Sequence, residues 1–222
     1  MKFGVLYSGG KDSTLAALIA KDDGHEISCL ISIFSSNEES YMFHTPSIEK
    51  TKIQAGAMEI PLIVQKTEGK KEEELRDLRK AILKAKEDYF IEGIVTGAIA
   101  SQYQASRIQK ICDELGLVCI NPLWGKNQKE ILEELVARDF EVLIVGVFAY
   151  PLDQAFLGRI IDSGFISEME VLEEKYKINI AGEGGEFETF VLGCPLFSRS
   201  LKVVGFRDFG EKHSWRREVE VE

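Results

Sequence analysis

A chain of 222 residues allows one large domain or two small ones, and a hydrophobic share of 45% excludes global disorder. Its formal net charge of −10 argues against a broad nucleic-acid surface, which needs clustered Lys and Arg, though a small basic pocket stays open. No apolar run approaches the roughly 20 residues of a membrane span. The four cysteines (Cys29, Cys112, Cys119 and Cys194) form neither a C-x-x-C pair nor a zinc spacing. With no leader pattern at the start, the expectation is a cytoplasmic protein with reduced, mostly buried thiols.

Residues 2–7 read as a first strand, buried on both faces. Leu15, Leu18 and Ile19 follow at helical spacing, and Asp22-Asp23-Gly24 closes that helix. A second apolar run covers 27–34. Thr45-Pro46 reads as an N-cap with proline at the first helical position, opening a helix to about Met58. A short third strand is expected at 61–64. The charged stretch 68–88 carries one apolar stripe, Leu75, Leu78, Ile82 and Ala85, so its charges read as a solvated helix face. A fourth strand falls at 93–96. Ile108, Ile111, Cys112 and Leu115 mark the next helix's buried side, and 117–120 a fifth strand. This alternation predicts an α/β, Rossmann-like domain with a five-stranded parallel sheet. Ligands of such sheets bind at the carboxyl ends of the strands. The unusual loops 8–13, 34–46 and 96–102 all follow strands, so they are expected on that edge. Past residue 122 come a helix at 130–137, a strand at 142–147, a Gly-rich loop at 181–185 and strand-like runs at 187–192, 201–206 and 216–221. We therefore expect a first, α/β domain over 1–122 and a smaller α+β domain over 123–222.

The stretch Ser8-Gly9-Gly10-Lys11-Asp12-Ser13 sits between the first strand and the first helix. Adjacent glycines let backbone amides approach an anion, and the helix start adds unpaired N–H groups and the positive dipole end. Ser8 and Ser13 add hydroxyls and Lys11 a charge. The spacing is not that of a Walker A loop, a G-x-G-x-x-G fingerprint or a G-x-S-x-G elbow. The stretch resembles the PP-loop of the N-type ATP pyrophosphatases. That resemblance implies that ATP is held by its β- and γ-phosphates while a nucleophile attacks the α-phosphate, releasing pyrophosphate. It also implies Mg²⁺, with Asp12 as its candidate ligand or water-holder. Ile33 and Phe34 would carry the adenine, and Thr96-Gly97-Ala98 would form a second nucleotide loop.

Four further stretches narrow the reading. His44, in 41–46, is either surface structure or a ligand-edge residue. Tyr103, Gln104 and Arg107 follow the second loop. Gln104 and Arg107 share one helix face, which is either a plain polar face or a binding one. Asn121-Pro122-Leu123-Trp124 is either a buried turn between domains or part of the site. The stretch 182–189, GEGGEFET, packs Glu183, Glu186 and Glu188 among Gly182, Gly184 and Gly185 and ends on Thr189. Clustered carboxylates need water or a cation, so this is a solvated loop or a shaped cation site. If a strand starts at Glu186, then Glu186 and Glu188 share a face.

Together these stretches resemble the diphthine–ammonia ligase (diphthamide synthetase) family in its short form, from the PP-loop to about residue 195. That resemblance implies the last step of diphthamide synthesis on translation elongation factor 2. ATP would activate the carboxylate of diphthine as an acyl-adenylate, and ammonia would displace AMP to leave the amide. It casts Lys11, Asp12, Glu183, Glu186 and Glu188 as the catalytic group. Ser8, Gly9, Gly10, Ser13, Ile33, Phe34, Thr96, Gly97 and Ala98 would hold ATP. His44, Tyr103, Gln104, Arg107, Gly184, Gly185 and Thr189 would meet the substrate. The glutamates would receive the quaternary ammonium of diphthine or the incoming ammonium ion, with an aromatic ring assisting. Asn127 departs from this pattern where an Asp is expected, as does 148–151, Phe-Ala-Tyr-Pro; the tail beyond Ser198 carries no assignment. The rival readings are an adenylating PP-loop enzyme acting on tRNA and a nucleotide-binding protein without catalysis. Oligomeric state is open, a homodimer included.

Overall fold

A computed structural model describes residues 1–35, 48–68 and 71–222. The chain divides into two compact units, Met1–Trp124 and Gly125–Glu222. Among the described residues no helix is long and apolar enough to cross a membrane.

The first unit runs β1 (Lys2–Leu6), α1 (Lys11–Asp22), β2 (Glu26–Ser35), α2 (Ile48–Met58), β3 (Leu62–Thr67), α3 (Lys71–Tyr89), β4 (Gly93–Val95), α4 (Gln102–Leu115) and β5 (Val118–Ile120). The five strands are parallel, in the order β3-β2-β1-β4-β5. The fold is thus the expected α/β one. Strand order reverses at β1, which has β2 on one side and β4 on the other. The loops after β1 and β4 therefore open side by side at the switch point, where sheets of this kind bind ligands.

Helix α3 turns its stripe inward, with Leu78, Ile82 and Ala85 fully buried and Leu75 packed beside them. They share one cluster with Ile31, Ile63 and Ile94 of the sheet and with Ile108, Ile111, Cys112 and Leu115 of α4. Most charges of α3 lie on the other side, as expected, but Glu74 departs from that reading and is fully buried. Strand β3 differs from expectation: it starts at Leu62 and runs to Thr67, pairing with Leu30 to Ser35. It is an edge strand, so Gln65 and Lys66 fit the ladder without burial. Thr45 and Pro46, read as the cap of α2, lie outside the described residues.

The second unit runs α5 (Gln128–Ala137), β6 (Glu141–Val147), a short 3₁₀ turn (Gln154–Phe156), α6 (Ser163–Tyr176), β7 (Phe187–Gly193), β8 (Val203–Glu211) and β9 (Ser214–Val221). Its strands form an antiparallel sheet in the order β7-β6-β9-β8. Helix α6 is absent from the sequence expectations. Its signals were present: Asp162 caps it by accepting from the Phe165 amide at 2.7 Å, and Phe165, Ile166 and Met169 make its buried stripe. The last two strands extend beyond expectation into one hairpin, held by Arg217, whose Nε and Nη2 donate to the two carboxylate oxygens of Asp208 at 2.7 and 2.8 Å.

Asn127 caps α5, its Oδ1 accepting from the Lys129 and Glu130 amides at 2.8 and 3.4 Å. Asn and Asp cap helices about equally well, so this departure from the family pattern leaves the local structure in place.

Candidate functional site

The glycine-rich loop joins β1 to α1. Gly10 is the N-cap of α1, in extended geometry, and no side chain caps the helix start. The first-turn amides are therefore available to an anion. Internal bonds fix the loop's shape. The hydroxyls of Ser8 and Ser13 lie 3.1 Å apart, and the Ser8 amide donates to Ser13 Oγ at 3.3 Å. Thr14 Oγ1 and Ser13 Oγ donate to the Gly10 carbonyl at 2.8 and 3.2 Å. Lys11 is buried, at 3% exposure, with its Nζ 2.8 Å from Asp12 Oδ2. The other oxygen, Asp12 Oδ1, is buried and has no hydrogen-bond partner among the described residues. An orphaned carboxylate oxygen beside an anion cradle fits a divalent cation. Mg²⁺ often takes only one or two protein carboxylates, the rest of its shell being phosphate and water.

The second loop closes on the first. A methyl on Gly97 would stand 2.7 Å from the carbonyl carbon of Asp12 and from the amide nitrogen of Ser13. Only a residue without Cβ fits there. Thr96 sets this approach: its Oγ1 donates to Asn121 Oδ1 at 2.5 Å and accepts from the Ala98 amide at 3.2 Å. Asn121 thus belongs to the loop's support, and Leu123 beside it is fully buried. Ser101 Oγ accepts from the Gln104 amide and caps α4. In the first turns of α4, the Arg107 guanidinium lies 3.4 Å over the Tyr103 ring, and its Nη1 donates to the Tyr103 carbonyl at 3.2 Å. Tyr103, Gln104 and Arg107 are all half-buried on the helix that Thr96-Gly97-Ala98 introduces.

Ile33 and Phe34 end β2 on this edge, half-buried and paired with Gln65 and Lys66. Phe34, Lys66, Thr67, Glu68 and Asp77 line a cavity of about 310 Å³. His44 lies outside the described residues.

In the second unit, GEGGEFET straddles the start of β7. The strand begins at Phe187, one residue later than the shared-face reading requires. Phe187 is buried against Phe165, with ring centroids 5.9 Å apart. Glu186 turns inward at 8% exposure, and its Oε1 accepts from the backbone and side-chain nitrogens of Asn179 at 2.9 and 2.7 Å. Glu186 Oε2 is buried with no hydrogen-bond partner among the described residues. Asn179 Oδ1 in turn accepts from Gln128 Nε2 at 2.9 Å, and Gln128 Oε1 accepts from the Ala181 amide at 3.0 Å. Gly184 packs on this group; a methyl there would meet Asn179 Nδ2 at 2.6 Å. Glu183, Glu188 and Thr189 are half-exposed, and Gly185 is exposed at φ +84°. Glu188 and Thr189 pair with Gly146 and Ile144 of β6. Among the described residues no three His, Cys, Asp or Glu side chains gather as a metal site. The loop is therefore not a fully solvated turn: one acid, Glu186, is buried and the other two, Glu183 and Glu188, are half-exposed.

Sequence reasoning missed Gln54, Gln128 and Asn179, which hold the loops in place. Each is a polar residue in an otherwise ordinary helix or connection, and no local pattern marks it.

A parallel α/β sheet with two glycine loops closed on each other at its switch point places this chain among the α/β proteins that take their ligand at the carboxyl edge of the sheet. The chain matches the family described as Diphthamide synthase N-terminal domain over residues 1–119, and Diphthamide synthase C-terminal domain over residues 127–220. A Diphthine–ammonia ligase from Rattus norvegicus is 34% identical, over 91% of this chain and 83% of that protein. One from Saccharomyces cerevisiae is 30% identical over 100% of this chain and 38% of that much longer protein. A solved chain titled as a predicted subunit of tRNA methyltransferase from Methanocaldococcus jannaschii superposes with a TM-score of 0.47. It is 21% identical, over 88% of this chain and 98% of that one, too loose a likeness to bear on function. The chain belongs to the diphthamide synthase family and is a ligase.

Proposed function

We propose that this protein joins ammonia to the carboxylate of diphthine on translation elongation factor 2, in the cytoplasm, with ATP converted to AMP and pyrophosphate. The observation that carries the ATP half is the seating of Gly97 on the Asp12–Ser13 backbone, which draws both nucleotide loops to one place. The substrate half rests on the names of the relatives.

In this mechanism the amides of Gly9, Gly10 and Lys11, the hydroxyls of Ser8 and Ser13 and the Lys11 ammonium bind the β- and γ-phosphates. They stabilise the charge that builds as pyrophosphate leaves. Asp12 holds Mg²⁺, which supplies further charge neutralisation at the phosphates when bound. The diphthine carboxylate attacks the α-phosphate, and ammonia then displaces AMP. Arg107, already flattened on Tyr103, orients a carboxylate or the α-phosphate. Ile33 and Phe34 carry the adenine, and His44, Gln104 and Thr189 contact the modified histidine or its surroundings. Glu183, Glu186 and Glu188, with Gly184 and Gly185 shaping their loop, attract the ammonium ion or the quaternary ammonium group.

The test is mass spectrometry of elongation factor 2 carrying unamidated diphthine, incubated with this protein, ATP, Mg²⁺ and ammonium. The expected result is conversion of carboxylate to amide with stoichiometric AMP and pyrophosphate. Release of ADP, or no amide, would overturn the reading.

A further inference from the structure

Gln54 stands outside every motif singled out in the sequence, yet it is fully buried and reaches the glycine loop from α2, 45 residues away. Its Nε2 donates to the Gly9 carbonyl oxygen at 3.0 Å. Gly9 has φ +83°, and a methyl on its Cα would run into Gln54 Oε1. The side-chain amide thus lies flush against the residue that begins the cradle.

This contact decides which way one peptide faces. In a planar trans peptide the carbonyl oxygen and the following N–H point in opposite directions. With the Gly9 oxygen drawn to Gln54, the Gly10 N–H points the other way, toward Ser8 Oγ at 3.4 Å. With the loop read as a phosphate cradle, that is its anion side. A rotation of the same peptide would turn its carbonyl oxygen, with its partial negative charge, onto the phosphates. Between two glycines such a rotation meets little steric resistance, because both residues tolerate positive and negative φ. The loop's own bonds tie down the Gly10 carbonyl, through Ser13 and Thr14, and touch the Gly9–Gly10 peptide through the long contact of its N–H to Ser8 Oγ, while its carbonyl oxygen is held from outside by Gln54.

We propose that Gln54 is a positioning residue for ATP: it locks the Gly9–Gly10 peptide with its N–H toward the phosphates. The inference rests on the reading of the loop as a phosphate cradle. It also makes α2 part of the nucleotide machinery, although no residue of that helix is itself placed on the ligand.

Two variants test it by calorimetric titration with ATP and, separately, pyrophosphate. Gln54→Met keeps the side-chain length and removes the donor. It is expected to weaken both ligands roughly tenfold or more, the scale of one lost hydrogen bond plus peptide rotation. Gln54→Glu places a carboxylate against the Gly9 oxygen, which burial and the carbonyl dipole both disfavour in its charged form. Its ATP affinity is expected to be low at pH 8 and to recover toward pH 5, where the protonated acid again donates. The wild-type protein, titrated in parallel, is expected to show no such gain. This pH-dependent recovery is a readout that a purely structural role would not produce, and it remains usable should Gln54→Met fold poorly. Wild-type affinity in Gln54→Met, or no recovery in Gln54→Glu, would overturn the proposal alone. Failure of the wild-type protein to bind either ligand would overturn the phosphate reading beneath it.

Discussion

Gly97 and Ser13 are separated by 84 positions in the chain, yet the Gly97 α-carbon faces the Ser13 amide so closely that a methyl would stand 2.7 Å from its nitrogen. The two loops therefore act as one. Gly97→Ala must push the second loop away from the start of α1 or shift the helix. We expect a loss of about 1–3 kcal/mol in stability, typical of overpacking against backbone, and weaker ATP binding. Chemical denaturation and ATP titration of the variant measure both. An alanine variant as stable and as tight as the wild type would contradict this packing.

Asp12 presents a buried oxygen, Oδ1, with no hydrogen-bond partner among the described residues, next to the proposed phosphate cradle. Asp12→Asn is expected to lower turnover roughly a hundredfold through loss of charge stabilisation at the phosphates. It should also flatten the dependence of turnover on Mg²⁺ concentration. A chelator should reproduce the loss in the wild type and add little in the variant. An Mg²⁺ titration of both proteins decides the matter.

Glu186 accepts two hydrogen bonds from Asn179 through Oε1 alone. Glu186→Gln keeps an acceptor in that place, so stability should fall by no more than about 1 kcal/mol. The role proposed for Oε2 and for Glu188 is separate from folding. The Glu186→Gln/Glu188→Gln protein should still exchange labelled pyrophosphate into ATP in the presence of substrate, while amide formation drops. Unchanged amide formation would remove the glutamates from the reaction.

The Arg217–Asp208 pair fastens the terminal hairpin. The Arg217 guanidinium, donating through two nitrogens, holds the Asp208 carboxyl below the usual carboxylate range, and the Asp208 side chain is only 13% exposed. Because the folded value is depressed, the stabilisation is complete above the unfolded value of about 3.9 and fades as pH falls through the lower folded one. Asp208→Asn should destabilise the protein at pH 7 by about 1–3 kcal/mol. The gap to the wild type should close as the pH drops below about 4. Urea titrations of both proteins across pH 3–7 would follow it.

The chain order of residues determined a good deal. Apolar runs alternating with helical stripes required the parallel sheet, since a strand buried on both faces and an amphipathic helix have few other ways to hide their apolar surface. Ser8 to Ser13 announced a glycine loop at a helix start, because both are local properties. Helix α6 and the full length of β3 and of the hairpin escaped notice. Polar residues such as Gln65 and Lys66 enter an edge strand at little cost, so hydropathy did not mark them. What only the tertiary structure decided are contacts between distant positions: Gly97 against Ser13, Asn121 on Thr96, Gln54 on Gly9, and Asn179 on Glu186. A polar side chain in a helix looks the same in sequence whether it faces water or a loop dozens of residues away. A hydrogen bond of 3 Å depends on the packed position of both elements, and no pattern along one of them encodes it.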